Sequence, residues 1–271
     1  MRTKDYKFDP AEQVKLIENF IKTYFADNGT PNTKAVIGIS GGKDSTIAAA
    51  LLVRALGADR VIGVLMPQGV QIDIEDSRRV CEHLGIKSYE IDIGRTFDTL
   101  TEDLPTDLFD LHDDNSIYFC NTPARLRMTT LYAVAGMVGG RVCNTGNASE
   151  FHIGYTTKYG DLAGDFALLR NLTVREIYAI GDYLELPMDL VHKHPADGMT
   201  GKTDEEQTGI PYDAIDDFLL DGIMPSMEIW EKMSAAHERN THKEVINLPA
   251  PQRYGYCLHR QNRHGGIYEV F

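Results

Sequence analysis

The residues with the plainest chemical purpose stand together in Ser40-Gly41-Gly42-Lys43-Asp44-Ser45. Hydroxyls and backbone amides at this spacing donate to phosphate oxygens, and Asp44 supplies the hard oxygen donors that Mg²⁺ takes. The preceding Ala35-Val36-Ile37-Gly38-Ile39 is apolar without alternation, which predicts a parallel strand covered on both faces. The run Ile47 to Leu56 predicts a helix that begins near Asp44. Its free first-turn N–H groups and its dipole favour a negative ligand. Glycines at 41 and 42 let that ligand approach the backbone. Neither of two familiar phosphate patterns fits. A Walker A alignment puts Ile37 on the first glycine and Asp44 on the metal-binding hydroxyl. The dinucleotide fingerprint fails because Gly38, Gly41 and Gly42 are wrongly spaced. Asp44 or Ser45 acting as an ordinary N-cap accounts for the turn, but not for the Ser-Gly-Gly ahead of it.

Other chemistry-bearing segments follow. Arg141 to Asn144 predicts a strand that leads into a second small, polar turn, Asn144-Thr145-Gly146-Asn147-Ala148-Ser149-Glu150. Two such turns at strand ends of one parallel sheet are expected to flank one pocket. Residues 151–170 mix glycines, hydroxyls, Lys158, Asp161 and Asp165 with few apolar residues, the composition of a binding loop. Residues 195–209 are polar and glycine-bearing and are expected to form a mobile lid. The tail, 240–271, is basic and aromatic, with His259, Arg260, Arg263 and His264.

These segments need a frame. Asp9-Pro10 reads as a cap and first residue of a helix whose Val14, Ile17, Phe20 or Ile21 and Tyr24 share one face, ending near Asn28-Gly29. Arg60 to Met66 and Ser88 to Ile93 read as strands, with a helix from Asp73 to Leu84 stopped by Gly85. Gly94 to Asn121 is acidic and blurred, suggesting a short helix and a loop, and Asn121-Thr122-Pro123 opens a helix through Met137. Further helices are expected at Thr173 to Leu184, Asp213 to Leu220 and Ser226 to Arg239. The alternation implies an α/β fold, a doubly wound parallel sheet flanked by helices.

Composition narrows the classes. The chain has 271 residues, and 27 lysines and arginines against 40 carboxylates give −13, which argues against a nucleic-acid partner. No apolar run is long enough to span a membrane, and Met1 to Phe8 lacks the apolar core of a signal peptide. Cys81, Cys120, Cys143 and Cys257 form no metal spacing and read as reduced thiols of a cytoplasmic protein, with Cys81 and Cys143 in the core.

Ser40 to Ser45 resembles the signature loop of the N-type ATP pyrophosphatases. Four further segments extend the likeness in order and spacing: Asn121-Thr-Pro-Ala-Arg-Leu-Arg-Met128, Thr145 to Glu150, Tyr155 to Asp161 with Asp165, and Thr203 to Asp216. Together they resemble ammonia-dependent NAD synthetase over roughly residues 10–220. The resemblance implies a single domain over 1–271 with an adenine nucleotide alpha hydrolase-like fold. It implies ATP-dependent amidation of deamido-NAD to NAD through an acyl-adenylate, with ammonia as nitrogen donor and AMP and pyrophosphate released. By the same resemblance Gly38, Ile39, Ser40, Gly41, Gly42, Lys43, Asp44, Ser45 and Thr145 bind ATP, and Asp44 with Glu150 holds Mg²⁺. Arg125, Lys158, Asp165, His259 and Arg260 contact deamido-NAD, and Asp44, Ser45, Lys158 and Asp161 are the catalytic set. A homodimer is implied as well, for which the apolar face of the first helix or of 121–137 is the expected surface. Two departures stand out: Val174, beside Arg175, replaces a family lysine, and Pro195 or Ala196 replaces a lid threonine. They keep open a related enzyme that amidates a different small carboxylic acid. A catalytically silent nucleotide-binding module is disfavoured, because Asp44 and Glu150 are both present.

Overall fold

A computed structural model describes residues 8–71, 73–108, 116–192, 203–243 and 248–251, and the backbone of 258–261 and 267–270. Helix α1 (Pro10–Asp27) starts where the sequence signals it, with Asp9 accepting the N–H groups of Ala11 and Glu12. β1 (Lys34–Gly38) leads into α2 (Lys43–Leu56), and β2 (Val61–Leu65) into α3 (Ile74–Leu84), which Gly85 closes in the left-handed conformation. β3 (Lys87–Glu90) is shorter than the 88–93 expected, and α4 (Gly94–Asp103) follows it. α5 (Ser116–Val138) then feeds β4 (Gly140–Asn144).

The sheet has the order β3-β2-β1-β4, completed by β5 (Phe166–Ala167), and every pairing is parallel. Connections run outward from β1 in both directions, so the order reverses between β1 and β4. That reversal opens a crevice at the carboxyl ends of these two strands. The Ser40 turn leaves β1 there and the Thr145 turn leaves β4 there, side by side.

Both faces of the sheet are covered, which is why β1 carries no polar alternation. Ala35 and Ile37 join the core under α1 and α2, whereas Val36 joins Met128, Leu131 and Val134 of α5 on the other face. The first core also contains Ile177 and Ile180 of α7 (Val174–Tyr183) and Leu190 of α8 (Met188–Val191). A third cluster packs Ala148 and Ile153 of α6 (Ala148–Ile153) against Ile215 and Phe218 of α10 (Tyr212–Asp221) and Met233 of α11 (Met227–Asn240). α9 (Asp204–Thr208) precedes α10, and an antiparallel pair, β6 (Leu258–Gln261) and β7 (Ile267–Val270), lies with β6 against α10. Cys81 and Cys143 are buried as expected, and Cys120 is exposed.

Four expectations are corrected. α5 begins at Ser116 and runs through Pro123 instead of opening there. Tyr118 explains the earlier start: its ring lies 5.6 Å from Phe97 and its hydroxyl 2.8 Å from Thr101 of α4, so tertiary packing offsets the hydrogen bond that proline forfeits. The 151–170 segment is not all loop, since it contributes edge strand β5. The tail contains a strand pair where none was foreseen. The apolar face of α1 offers no surface to a partner, because Val14, Ile17, Ile21 and Phe25 are core residues. Residues 195–202 of the expected lid lie outside the described residues, and 203–209 include α9. No helix among the described residues is long and apolar enough to cross a membrane.

Candidate active site

The cradle is built by hydrogen bonds within its own loop. Ser40 N–H donates to Ser45 Oγ at 3.2 Å, the two hydroxyls lie 3.1 Å apart, and Gly42 N–H donates to Ser40 Oγ at 3.3 Å. Ser45 Oγ and Thr46 Oγ1 both donate to the Gly42 carbonyl. Gly41 has φ +77°, and a Cβ there would lie 2.8 Å from Asp76 Cβ and 2.9 Å from Ser77 N, so the loop presses against α3. The N-cap of α2 is Gly42, neither Asp44 nor Ser45, and it caps with no side chain. The first-turn amides of α2 therefore have no capping acceptor, the arrangement that receives an anion.

A buried charge cluster closes one side. Lys43 is only 4% exposed, and its ammonium sits 2.8 Å from Asp44 Oδ2 and 5.9 and 5.8 Å from the rings of Tyr178 and Tyr212. Burial alone would lower this ammonium, but Asp44 and then Glu150 hold it above its ordinary value. Asn147 Nδ2 reaches Asp44 Oδ1 at 3.4 Å, and the same Asn147 caps α6 in a capping box with Glu150. That box fixes Glu150 facing Asp44 from the β4 side. Burial raises the Glu150 carboxyl, Asp44 raises it further, and Lys43 opposes both. Asp204 adds a third carboxylate and accepts the Tyr212 hydroxyl at 3.1 Å.

Across the crevice lies a cationic turn. Asn144 Nδ2, at the end of β4, donates to the carbonyls of Asp161 and Ala163 at 2.6 and 2.8 Å, which docks the turn on the sheet. Within it Thr157 N–H donates to Asp161 Oδ1 at 2.7 Å. Arg125 Nε donates to the Lys158 carbonyl at 3.2 Å, bringing α5 to the turn. Residues after α11 complete the contact: Lys158 Nζ donates to the His242 carbonyl at 3.0 Å, and Lys243 Nζ to Gly154 O and Thr156 O at 2.7 and 2.5 Å. Burial lowers the Lys243 ammonium; Asp161 opposes this, and Arg239 and Arg125 add to it. Sequence reasoning missed Lys243 and saw Asn144 only as part of the polar turn, since nothing local marks a residue that binds a carbonyl far along the chain.

The profile described as NAD synthase matches residues 13–254. The chain belongs to the NAD synthase family. An NH(3)-dependent NAD(+) synthetase of Alkaliphilus metalliredigens is 36% identical over 244 residues, 87% of this chain and 96% of that one. Among solved structures, NMN synthetase from Francisella tularensis superposes with TM-score 0.80 at 34% identity, covering 89% of this chain and 98% of that chain. NAD+ synthetase from Burkholderia pseudomallei gives 0.72 at 29% identity, covering 89% and 92%.

The other residues expected in the site lie as follows. Thr145 is half-buried at the end of β4, on the crevice. Asp165 faces the sheet: its carboxylate accepts Val142 N–H at 2.7 Å and the Tyr132 hydroxyl at 3.2 Å. Val174 is buried in the third core cluster, and Arg175 does not turn toward the crevice, since it pairs with Asp217 at 2.8 Å and Asp213 at 3.5 Å on α10. Arg127 Nε donates to the Met66 carbonyl just past β2, so this arginine is no free surface charge. His259 and Arg260 fall in β6, where only the backbone is described.

Proposed function

We propose that this chain is an ammonia-dependent NAD+ synthetase that couples amidation of deamido-NAD to cleavage of ATP into AMP and pyrophosphate. The observation that carries the reading is the meeting of Asp44 and Glu150 across the β1/β4 crevice, beside a helix start with uncapped amides. The physical problem is charge, because an anionic carboxylate must approach a tetra-anionic nucleotide. Amides of residues 38–45 and the hydroxyls of Ser40 and Ser45 cradle the departing pyrophosphate, with Thr145 contacting ATP from the neighbouring strand end. The nicotinate oxygen attacks the α-phosphorus, and the bond to the β-phosphate oxygen breaks. Ammonia then attacks the acyl carbon, AMP leaves with the C–O electron pair, and the nitrogen gives up a proton. Lys158 and Arg125 offset the negative charge of the dinucleotide, with Asp161 beside them. In this reading His259 and Arg260 also contact the dinucleotide, and Asp165, which accepts Val142 N–H and the Tyr132 hydroxyl, supports that side of the site from the sheet.

Asp44 and Glu150 suit Mg²⁺. Both are oxygen donors, they share one site, and two carboxylates plus substrate phosphates are an ordinary Mg²⁺ environment. Nucleotide oxygens and water would complete the octahedral shell around such an ion. When bound, the ion withdraws charge from the phosphate oxygens.

A homodimer is part of the reading. Near its end α5 exposes Met137, a large apolar side chain that a second copy would cover. The test of the reaction is to mix protein, Mg-ATP, ammonium and deamido-NAD and look for AMP, pyrophosphate and NAD by mass spectrometry. ADP in place of AMP rejects attack at the α-phosphorus. A second reading takes the mononucleotide with the same nicotinate carboxylate as substrate, favoured by likeness to the protein named NMN synthetase. A higher kcat/KM for the mononucleotide than for deamido-NAD decides for it.

A further inference from the structure

The site contains a cation that the reaction scheme has not used. Lys43 is the residue between the glycine pair and Asp44, yet its side chain does not extend into solvent. It folds inward to Asp44 Oδ2 at 2.8 Å, under Tyr178 of α7 and Tyr212 of α10. An ammonium buried this far is costly unless its charge is matched, and π-faces add only a modest attraction. The match is lopsided. Asp44, Glu150 and Asp204 gather on one side, and among the described residues no other lysine or arginine forms an ion pair with Asp44 or Glu150. Two carboxylates facing one another repel, and the Lys43 ammonium, in contact with Asp44, is the positive charge set against that repulsion.

We propose that Lys43 is a resident counter-ion at the Asp44–Glu150 site, occupying Asp44 in the nucleotide-free enzyme and competing with a divalent cation for it. This rests on the reading of Asp44 and Glu150 as metal ligands. Its consequence is ordered loading. A free divalent ion has to displace an ammonium already in contact with Asp44, whereas an ion arriving with ATP brings phosphates that can take the ammonium over. The enzyme thus takes metal and nucleotide as a unit and stays nearly metal-free between turnovers.

Mn²⁺ titration of nucleotide-free protein, followed by the paramagnetic resonance signal of the free ion, tests it. The full chain is used as wild type, Lys43→Met, Lys43→Arg and Asp44→Asn. The expected result is that Lys43→Met binds Mn²⁺ at least about tenfold more tightly than wild type, and Lys43→Arg as weakly as wild type. A non-hydrolysable ATP analogue should narrow the gap, and Asp44→Asn should abolish the tight site. Equal affinity for Lys43→Met and wild type, with Asp44→Asn still abolishing binding, overturns the counter-ion role and leaves the metal ligands standing. Unchanged Mn²⁺ binding in Asp44→Asn overturns the metal assignment itself, and the proposal with it. If Lys43→Met does not fold, Lys43→Gln carries the same comparison.

Discussion

Gly41 offers the sharpest check on how the cradle is built. Its φ of +77° lies in the left-handed region, which costs a side-chain-bearing residue roughly 1–2 kcal/mol. A Cβ at Gly41 would also approach Asp76 Cβ to 2.8 Å and the Ser77 backbone nitrogen to 2.9 Å, distances at which something must shift. Ser77 N belongs to α3 and cannot swing aside like a side-chain tip, so overpacking adds about 1–3 kcal/mol. The expected loss for Gly41→Ala is about 2–5 kcal/mol, or about 5–15 °C in melting temperature for a chain of this size. Gly42→Ala is the control. Gly42 has φ −88°, and its nearest Cβ contact would be Ser40 Oγ at 3.4 Å, an ordinary separation. Its cost is that of a poorer N-cap, about 1 kcal/mol or less. Thermal melts followed by circular dichroism, with KM for ATP measured alongside, separate the two. Gly41→Ala should lose stability, whereas Gly42→Ala should keep most of it and raise KM for ATP, because the added methyl sits where the phosphate approaches. If the two variants melt within about 1 °C of each other, the argument from backbone strain and α3 contact fails.

Three further outcomes are expected. Lys243→Met removes the ammonium from Gly154 O and Thr156 O, and should raise KM for deamido-NAD by roughly tenfold or more while KM for ATP stays put; steady-state kinetics with each substrate varied in turn would show it. Burial lifts the Asp216 carboxyl from 3.8 to about 6, against hydrogen bonds from Ser149 Oγ and Arg175 N–H. The folded protein then holds a proton that the unfolded chain has released, so this group's contribution to stability falls as pH rises across that window. Urea melts at several pH values should show the wild-type stability falling relative to Asp216→Asn between these limits. Met137 is 87% exposed on α5, and if the proposed homodimer uses this face, Met137→Glu should sediment as a monomer where the wild type sediments as a dimer, without lowering the melting temperature of the protomer.

What the sequence made legible was whatever local chemistry encodes. Asp9 and Pro10 start α1, Gly85 stops α3, and the apolar run of β1 meeting Ser-Gly-Gly marks the cradle, because caps, glycine conformations and two-faced burial leave their mark within a few residues. What stayed hidden depends on partners far along the chain. Pro123 reads as a helix start until Tyr118 is seen packed on α4. Phe166 and Ala167 carry no strand pattern in two residues; their place is set by pairing with Cys143 and Asn144. Asp165 shows in the sequence as a loop carboxylate, but not that Val142 N–H and Tyr132 occupy its oxygens. Lys43 sits in a phosphate loop, and only the fold reveals that it turns inward between two tyrosines from other helices.

The ties between the cationic turn and residues 237–243 bear on when the enzyme becomes active during its synthesis. The sheet, from β3 at one edge to β5 at the other, is complete by Ala167, and the cradle far earlier. The fasteners come much later: His237 on the His152 carbonyl at 2.8 Å, Asn240 on Ile153 O at 3.1 Å, His242 under Lys158, and Lys243 on the turn itself. A growing chain folds from its N-terminal side as it emerges, so it can shape a nucleotide pocket, and dock the turn on β4 through Asn144, long before residues 237–243 brace that turn from the other side. The two sides of the crevice are thus built in sequence, the nucleotide side first and the bracing of the opposite side only once residues 237–243 have been made.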